Sequence, residues 1–449
     1  MSTQRKSLLY IVVLGMLVLG PFPGHCQEET ISLKEALQIA LKENHEVRAF
    51  KNALSAQKEG IGVARSFLLP KIAFEERAAR TNNPPSAFMM KLNQQRFTSD
   101  DFALGNLNKP GTTDDFQTLF SFEQPVFAAR SFLNLNTAKL EYSSKSEDFL
   151  RKKEEVCFYV ARAYLRAHSA KEYLKVTEKG LEDAREHLRI AEVRHKNGLG
   201  LYSDRLRAKT AMVEAEQKNV SARKDFSVAK RWLGVLMGKP IPIDVAGNDV
   251  SLAVMKIDYY LDASDKRKDV SAMRIRHETA QSNVKAAESR YLPYIGVGGS
   301  YQLNDHSRLF GSEGDSWQLM AFMRWELFDG MNRESEREKA RFNMAEAKEQ
   351  FMRLKELVAF KVHEAYLVVE EAKKNAELAL AALQSAEEGR RLVRSRYENS
   401  LSPIVDLLDV QLNLNRARAD AVARENDYKL AIINLSYESG TIMKDMGIE

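Results

Sequence analysis

The chain carries the same passage twice, and this duplication limits its possible folds more than any other feature. At a constant offset of 223 residues, Val47 meets Val270, Ser66 meets Ser289, Leu69-Pro70 meets Leu292-Pro293 and Ile72 meets Ile295. Further on the offset is about 202. Phe127 pairs with Phe328, Ala163-Tyr164-Leu165 with Ala365-Tyr366-Leu367, Asn197 with Asn399, Asp204 with Asp406, Leu206 with Leu408, and Gly238 with Gly440. The offset falls because the first copy has the longer loop between Pro70 and Phe127. Two tandem copies span most of the chain.

Each copy has one grammar. A helix of about 30 residues ends at Leu-Pro, a strand, a loop and a second strand follow, and a helical stretch of about 70 residues runs to a short break. A helix of about 35 residues then returns to a C-cap glycine, Gly238 or Gly440. The first helix opens on Ser32-Leu33-Lys34-Glu35, a capping box. The long helix of the second copy is read from Val358, Val362, Ala365, Tyr366, Val369, Ala372, Ala376, Leu380 and Leu383, which step by three and four. Seventy residues at 1.5 Å each reach about 105 Å. The return helix covers about half of that, so the helix before the strands must wall the rest. The expected division is 27–238 for the first repeat, with strands near 71–78 and 115–127 and a tip turn at 197–203. A linker follows at 239–261. The second repeat takes 262–440, with strands near 294–303 and 316–328 and a tip turn at 399–403, and 441–449 form a tail.

The strands alternate with a period of two. Trp317, Leu319, Ala321, Met323, Trp325 and Leu327 make one apolar face, and Phe116, Thr118, Phe120 and Phe122 are the first-copy counterparts. About ten alternating residues with Trp near both ends suit a membrane barrel strand. The edge of a soluble sandwich alternates similarly. Four strands cannot close into a barrel, open edges are not tolerated in lipid, and known outer-membrane barrels begin at eight strands. Two or three chains must therefore pool their strands, and three give twelve.

Residues 1–26 read as an export signal: Arg5 and Lys6, an apolar stretch from Leu8 to Gly20, then Gly24-His25-Cys26 as a cleavage region. Lipidation of Cys26 is the alternative, although His25 stands where a lipoprotein normally has a small residue. Cutting after Cys26 leaves Cys157 as the sole cysteine, placed for burial within a helix. It also lowers the formal charge from +5 to +3, which gives no ground for a nucleic-acid partner. After the signal no run of about 18 apolar residues occurs, which excludes a spanning helix. The 29% charged content is spread along helices. The eight histidines are scattered without metal-ligand spacing, and no phosphate loop, nucleophile elbow or HExxH is present. We therefore expect no enzyme activity, cofactor or metal.

With this order of elements the sequence resembles the TolC-type outer-membrane efflux protein family. The resemblance rests on Ile31-Ser32-Leu33-Lys34-Glu35-Ala36-Leu37, on Gln124-Pro125-Val126-Phe127 with its counterpart Leu327-Phe328-Asp329-Gly330, and above all on Ile404-Val405-Asp406-Leu407-Leu408-Asp409. It implies a mainly α fold with a β-barrel part: a duplicated long-helix hairpin tunnel in the periplasm, and four strands per chain in a twelve-stranded barrel shared by a homotrimer in outer-membrane lipid. It also implies a passive exit duct for efflux or type I secretion, whose tips dock to a periplasmic adaptor coupled to an inner-membrane transporter. The family's acidic constriction falls on Asp406 and Asp409, with Asp204 in the other repeat. Tip closure and docking fall on Tyr397, Gly198, Leu199, Ser400, Leu401 and Ser402. The sequence departs from the family where Ser402 replaces an Arg and Ser400 a Gly.

The acidic residues also have a reading of their own. Asp406 and Asp409 share a helix face at i,i+3, and threefold symmetry would gather six carboxylates into two rings that attract cations. Asp also favours the first turns of a helix on dipole grounds alone. The segment Lys91–Thr98 with Asp100, Asp101 and Phe102 reads as a lid, a receptor site or simply a long loop above the barrel. The competing function, a periplasmic helical-hairpin adaptor or scaffold, calls for one hairpin with β-rich flanks.

Overall fold

The computed structural model describes residues 30–247 and 253–448; the export segment 1–26 and part of the linker lie outside the described residues. In chain order come β1 (Thr30–Ile31), α1 (Leu33–Glu43), α2 (His45–Ser66), β2 (Lys71–Thr81), α3 (Pro84–Asn93), α4 (Leu104–Asn108) and β3 (Thr113–Phe127). The first hairpin is α5 (Ala129–Lys196) and α6 (Tyr202–Leu236), followed by β4 (Asp244–Val245), α7 (Ile257–Ser264) and α8 (Lys268–Glu288). Then come β5 (Tyr294–Asp305), β6 (Gly314–Arg324), the second hairpin of α9 (Asn332–Glu398) and α10 (Ile404–Ser439), and α11 (Ile442–Asp445).

The two long helices have 68 and 67 residues, about 100 Å each at 1.5 Å per residue. Their returns, α6 and α10, have 35 and 36 residues. The upper halves of α5 and α9 pack instead on α2 and α8. Gly238 and Gly440 take φ of +76° and +78° just past the return helices.

The helix expected before the strands is two helices in each copy. In the first, Asn44 interrupts it with an extended backbone (ψ 131°), its Oδ1 capping the Glu46 and Val47 amides of α2 while Nδ2 donates to the Leu236 carbonyl at 2.7 Å. In the second, Arg267 (ψ 142°) divides α7 from α8 and is held by Asp269 and Glu438 at 2.8 and 3.0 Å. The capping box at Ser32 and Glu35 is present.

The main core sits at mid-height, where α1, the middle of α5, the end of α6, β4 and α11 meet around Leu37, Tyr164, Leu165, Leu233 and Met237. Tyr164 is fully buried, and its hydroxyl donates to the Ile31 carbonyl at 3.0 Å, tying the helix to the short parallel pair of β1 and β4. Cys157 lies in this core; burial pushes its thiol up to about 12, which leaves it unreactive at neutral pH.

Strands β2, β3, β5 and β6 form one antiparallel sheet in that order, with β2 and β6 as unpaired edges. β2 runs on to Thr81 and β3 starts at Thr113, longer than the alternation suggested. β6 stops at Arg324, short of the expected 328, so Trp325 and Leu327 do not continue its face. The Trp325 indole N–H donates to the Tyr291 carbonyl at 3.1 Å, and Arg333 donates to the Glu326 and Leu327 carbonyls. Those bonds turn the chain into α9 where a ladder would have continued.

Candidate functional site

The two tips end in the same backbone motif. The Leu199 amide donates to the Arg194 carbonyl and Leu401 to Arg396, both at 2.8 Å, and the penultimate amides close the inner bond of a Schellman turn. The turn needs a left-handed residue. Gly198 supplies φ +73° without strain, whereas Ser400 adopts φ +61° at the cost of a Cβ clash. Arg194 offsets that cost. Its Nη2 donates to Ser400 Oγ at 2.8 Å, its Nη1 to the Tyr397 carbonyl at 3.1 Å, and its guanidinium lies 4.9 Å from the Tyr397 ring centre. Tyr397 is buried with Ala191, Ala208, Ile404 and Leu407 in a small tip core. Burial raises the Tyr397 phenol pKa, Arg194 opposes this and the nearby charge of Asp204 adds to it.

Asp406 and Asp409 are exposed on one face of α10, while Ile404 and Leu407 on the other are buried. Ser402 Oγ donates to Asp406 Oδ2 at 3.2 Å. Asp204 stands in the first turn of α6, half-buried. Leu199 and Leu401 project at the two turns, 72% and 70% exposed. The structure thus brings Tyr397, Ser400 and the first hairpin together through Arg194, a residue the sequence reading passed over. Leu199, Leu401, Asp406 and Asp409 stay on the surface.

Farther from the tip a polar seam joins the hairpins. Asp183 of α5 accepts from Gln411 Nε2 at 3.1 Å and lies 3.6 and 3.9 Å from Arg390 and Arg418. His187, one turn on, is buried against α10 with neither ring nitrogen hydrogen-bonded. Desolvation lowers its pKa, partly countered by Gln411 and Asp183.

At the other end, register sorts the sheet into two chemistries. Ile72, Phe122, Gly299 and Leu319 align across the four strands, and Phe74, Phe120, Tyr301 and Trp317 form the next row on the same side. Ile295 pairs with Met323 farther along this face, and Phe116 pairs with Ala78 toward its outer end. Trp317 is 73% exposed. Gly299 is required here because a Cβ would collide with the Phe122 ring. The opposite side carries Glu75, Leu119, Gln302 and Ser316 in one row and Ala73, Ser121, Ser300 and Gln318 in another. One face largely apolar over its middle rows and the other largely polar there is the pattern of a strand between lipid and a water-filled lumen. The family described as outer membrane efflux protein matches residues 36–239 and 260–441.

The chain belongs to the outer membrane efflux protein family. Among members of that family, it is 21% identical to the outer membrane efflux protein BepC of Brucella suis over 435 residues, 94% of this chain and 89% of that protein. It is 20% identical to the outer membrane protein TolC of Vibrio cholerae over 358 residues, 75% of this chain and 80% of that one. A membrane protein from Pseudomonas aeruginosa superposes with a TM-score of 0.78 at 17% identity, covering 91% and 93% of the two chains. The outer membrane protein VceC of Vibrio cholerae does so with 0.76 at 17%, covering 91% and 96%. These likenesses extend over both hairpins and the sheet, so this family member has the fold of a helical tunnel wall joined to part of a barrel.

The long loop after β2 folds into its own cap. Phe88, Phe97 and Phe102 stack edge-on with centroids 4.7 and 5.0 Å apart. Lys91 pairs with Asp101 at 2.7 Å, and that bond with the Thr98 amide holds the Asp101 carboxyl at about 2. Gln94, 1% exposed, donates to Asp115, which also accepts from Asn304 at 3.0 Å. The cap is therefore pinned to the outer ends of β3 and β5.

Proposed function

We propose that this protein is the outer-membrane channel subunit of a tripartite efflux or type I secretion system, acting as a passive exit duct. The observation that carries the reading is the four-stranded sheet: largely apolar over the middle of one face, largely polar over the other, with two unpaired edges. An open edge in hydrocarbon leaves backbone groups without partners at several kcal/mol each. Pairing β6 of one chain with β2 of the next removes both edges, and three chains close a twelve-stranded barrel. Ile72, Phe120, Phe122, Trp317, Leu319 and Met323 then face outer-membrane lipid, with Phe116 near the outer rim. The hairpins of three chains make the periplasmic tunnel.

At its far end Asp406 and Asp409 of each chain form the acidic constriction, with Asp204 beside them. The turns at Gly198–Leu199 and Ser400–Ser402 present exposed leucines to a periplasmic adaptor, which connects the duct to an inner-membrane transporter. Energy comes from that pump, since the duct's own role is to be open or closed; no catalysis, cofactor or nucleic acid enters. Two full hairpins with membrane-type strands also weigh against the adaptor reading.

Membrane fractionation tests the proposal. The protein is expected with outer-membrane markers after density separation. Recovery with the inner membrane would favour the adaptor instead and overturn the duct.

A further inference from the structure

The turn between β5 and β6 holds the one group of metal-type side chains found among the described residues: Asp305, His306 and Glu313. Asp305 is the last residue of β5, His306 follows it, and Glu313 immediately precedes β6. The two strand ends thus bring both carboxylates and the imidazole together, with one donor atom from each within 4.8 Å of the others. His306 Nδ1 and Glu313 Oε2 are 2.6 Å apart.

Asp305 differs from an ordinary surface acid because it is 3% exposed. Its Oδ1 is fully used, accepting from the Ser307 amide and hydroxyl and from the Arg308 amide at 2.7 to 3.1 Å. No hydrogen bond reaches Oδ2. Its nearest cation is Arg308 Nε at 3.8 Å, on a side chain 77% exposed and free to swing away. A carboxylate oxygen that accepts no hydrogen bond and has only the loose ion pair with exposed Arg308, beside an imidazole and a second carboxylate, offers a cation three suitable donors at the mouth of one turn.

We propose that Asp305, His306 and Glu313 form a binding site for a divalent transition metal of the zinc class, which staples the β5–β6 turn shut. One nitrogen and two oxygen donors suit zinc, which takes such ligands at about 2.0–2.2 Å and completes its sphere with water. Tetrahedral bonds of that length place donors about 3.4 Å apart. His306 and Glu313 are only partly buried, so rotation of their side chains closes the remaining gap. The ion takes the place of the direct contact between His306 Nδ1 and Glu313 Oε2, and it joins both to Asp305 Oδ2. The site lies at the end of the sheet away from the helices, so on the reading above it meets metal in the external medium. Binding itself does not depend on that reading.

The test uses tag-free, full-length protein in detergent, with Co(II) as a spectroscopic probe and Zn(II) as competitor. We expect one Co(II) per chain with the intense visible bands of a low-coordinate ion, displaced by Zn(II). His306→Ala and Glu313→Gln should each weaken binding at least about tenfold. Both residues lie in a surface turn, and an unchanged circular dichroism spectrum confirms that the variants fold. A second readout is cleavage by trypsin after Arg308, which Zn(II) should slow in the unaltered protein and leave unchanged in His306→Ala. Absence of the bands, equal binding by the variants, or Zn(II)-independent cleavage would each overturn the proposal.

Discussion

At the height of Tyr164, α5 meets its neighbours through Leu37, Leu165, Leu233 and Met237, all fully buried. About 30 Å further down the same helix, at Asp183, the contact between hairpins is made of a carboxylate, two guanidiniums, an amide and an unpaired histidine. Beyond that lies a tip core of five buried residues gripped by one arginine. The waist is held mainly by buried apolar area, which any shift would return to water. The seam and tip are held by directional polar contacts, which can be exchanged for others or for water. On the proposed function, a duct that opens at one end while staying assembled would use this division of labour.

Substitutions should separate the two regions by size of effect. Leu37→Ala at the waist should cost about 2–5 kcal/mol of stability, read as a fall in the urea midpoint. Leu407→Ala in the smaller tip core should cost less. Asp183→Asn leaves Arg390 and Arg418 facing each other; since both are about a quarter exposed, the loss should be about 1–3 kcal/mol. It should appear as a wider separation of spin labels on the two hairpins, with the waist unchanged. An equal loosening of waist and seam would break the comparison.

Arg194→Ala removes two hydrogen bonds and a ring contact and should cost about 1–2 kcal/mol. Its clearest readout is higher conductance in planar bilayers, because Ser400 keeps its strained turn without the bond that steadies it. Paired Asp406→Asn and Asp409→Asn changes should move stability by less than about 0.5 kcal/mol, as both side chains are exposed. They should nonetheless lower cation selectivity in the same bilayers.

The pH response sharpens the contrast further. Burial lowers the His187 pKa in the folded protein, so the unfolded chain binds the extra proton first. Stability from this residue is complete above the unfolded value of about 6.5 and falls as pH drops through it toward the depressed native value. His187→Gln should flatten the acid limb of a stability–pH profile. A profile unchanged by that substitution would remove the seam from any acid response.

Much of the fold was legible because a repeat reports itself. Matching residues at offsets of 223 and about 202 located both hairpins, and alternation at Trp317 to Met323 located the sheet face. The break at Asn44 was less visible: its Oδ1 caps α2 locally, and the bond that fixes the side chain there runs from its Nδ2 to the Leu236 carbonyl, far along the chain. Arg194 was missed for a related reason: its partners lie more than 200 residues away on the other hairpin. The repeat held a clue, because Arg194-His195 aligns with Arg396-Tyr397, which places a conspicuous cation beside the expected aromatic position. The group at Asp305, His306 and Glu313 escaped a spacing search because a hairpin turn, rather than a helical or CxxC-type period, brings the three together.

The proposed duct stands or falls on closure of its barrel by other copies of the chain. Native outer membranes, extracted in detergent and weighed by light scattering with the detergent subtracted, give the direct answer. We expect one species of about three times the mass of the mature chain, somewhat below three times 51.0 kDa. A monomer, or material recovered from the soluble periplasm, would contradict the shared barrel and with it the duct.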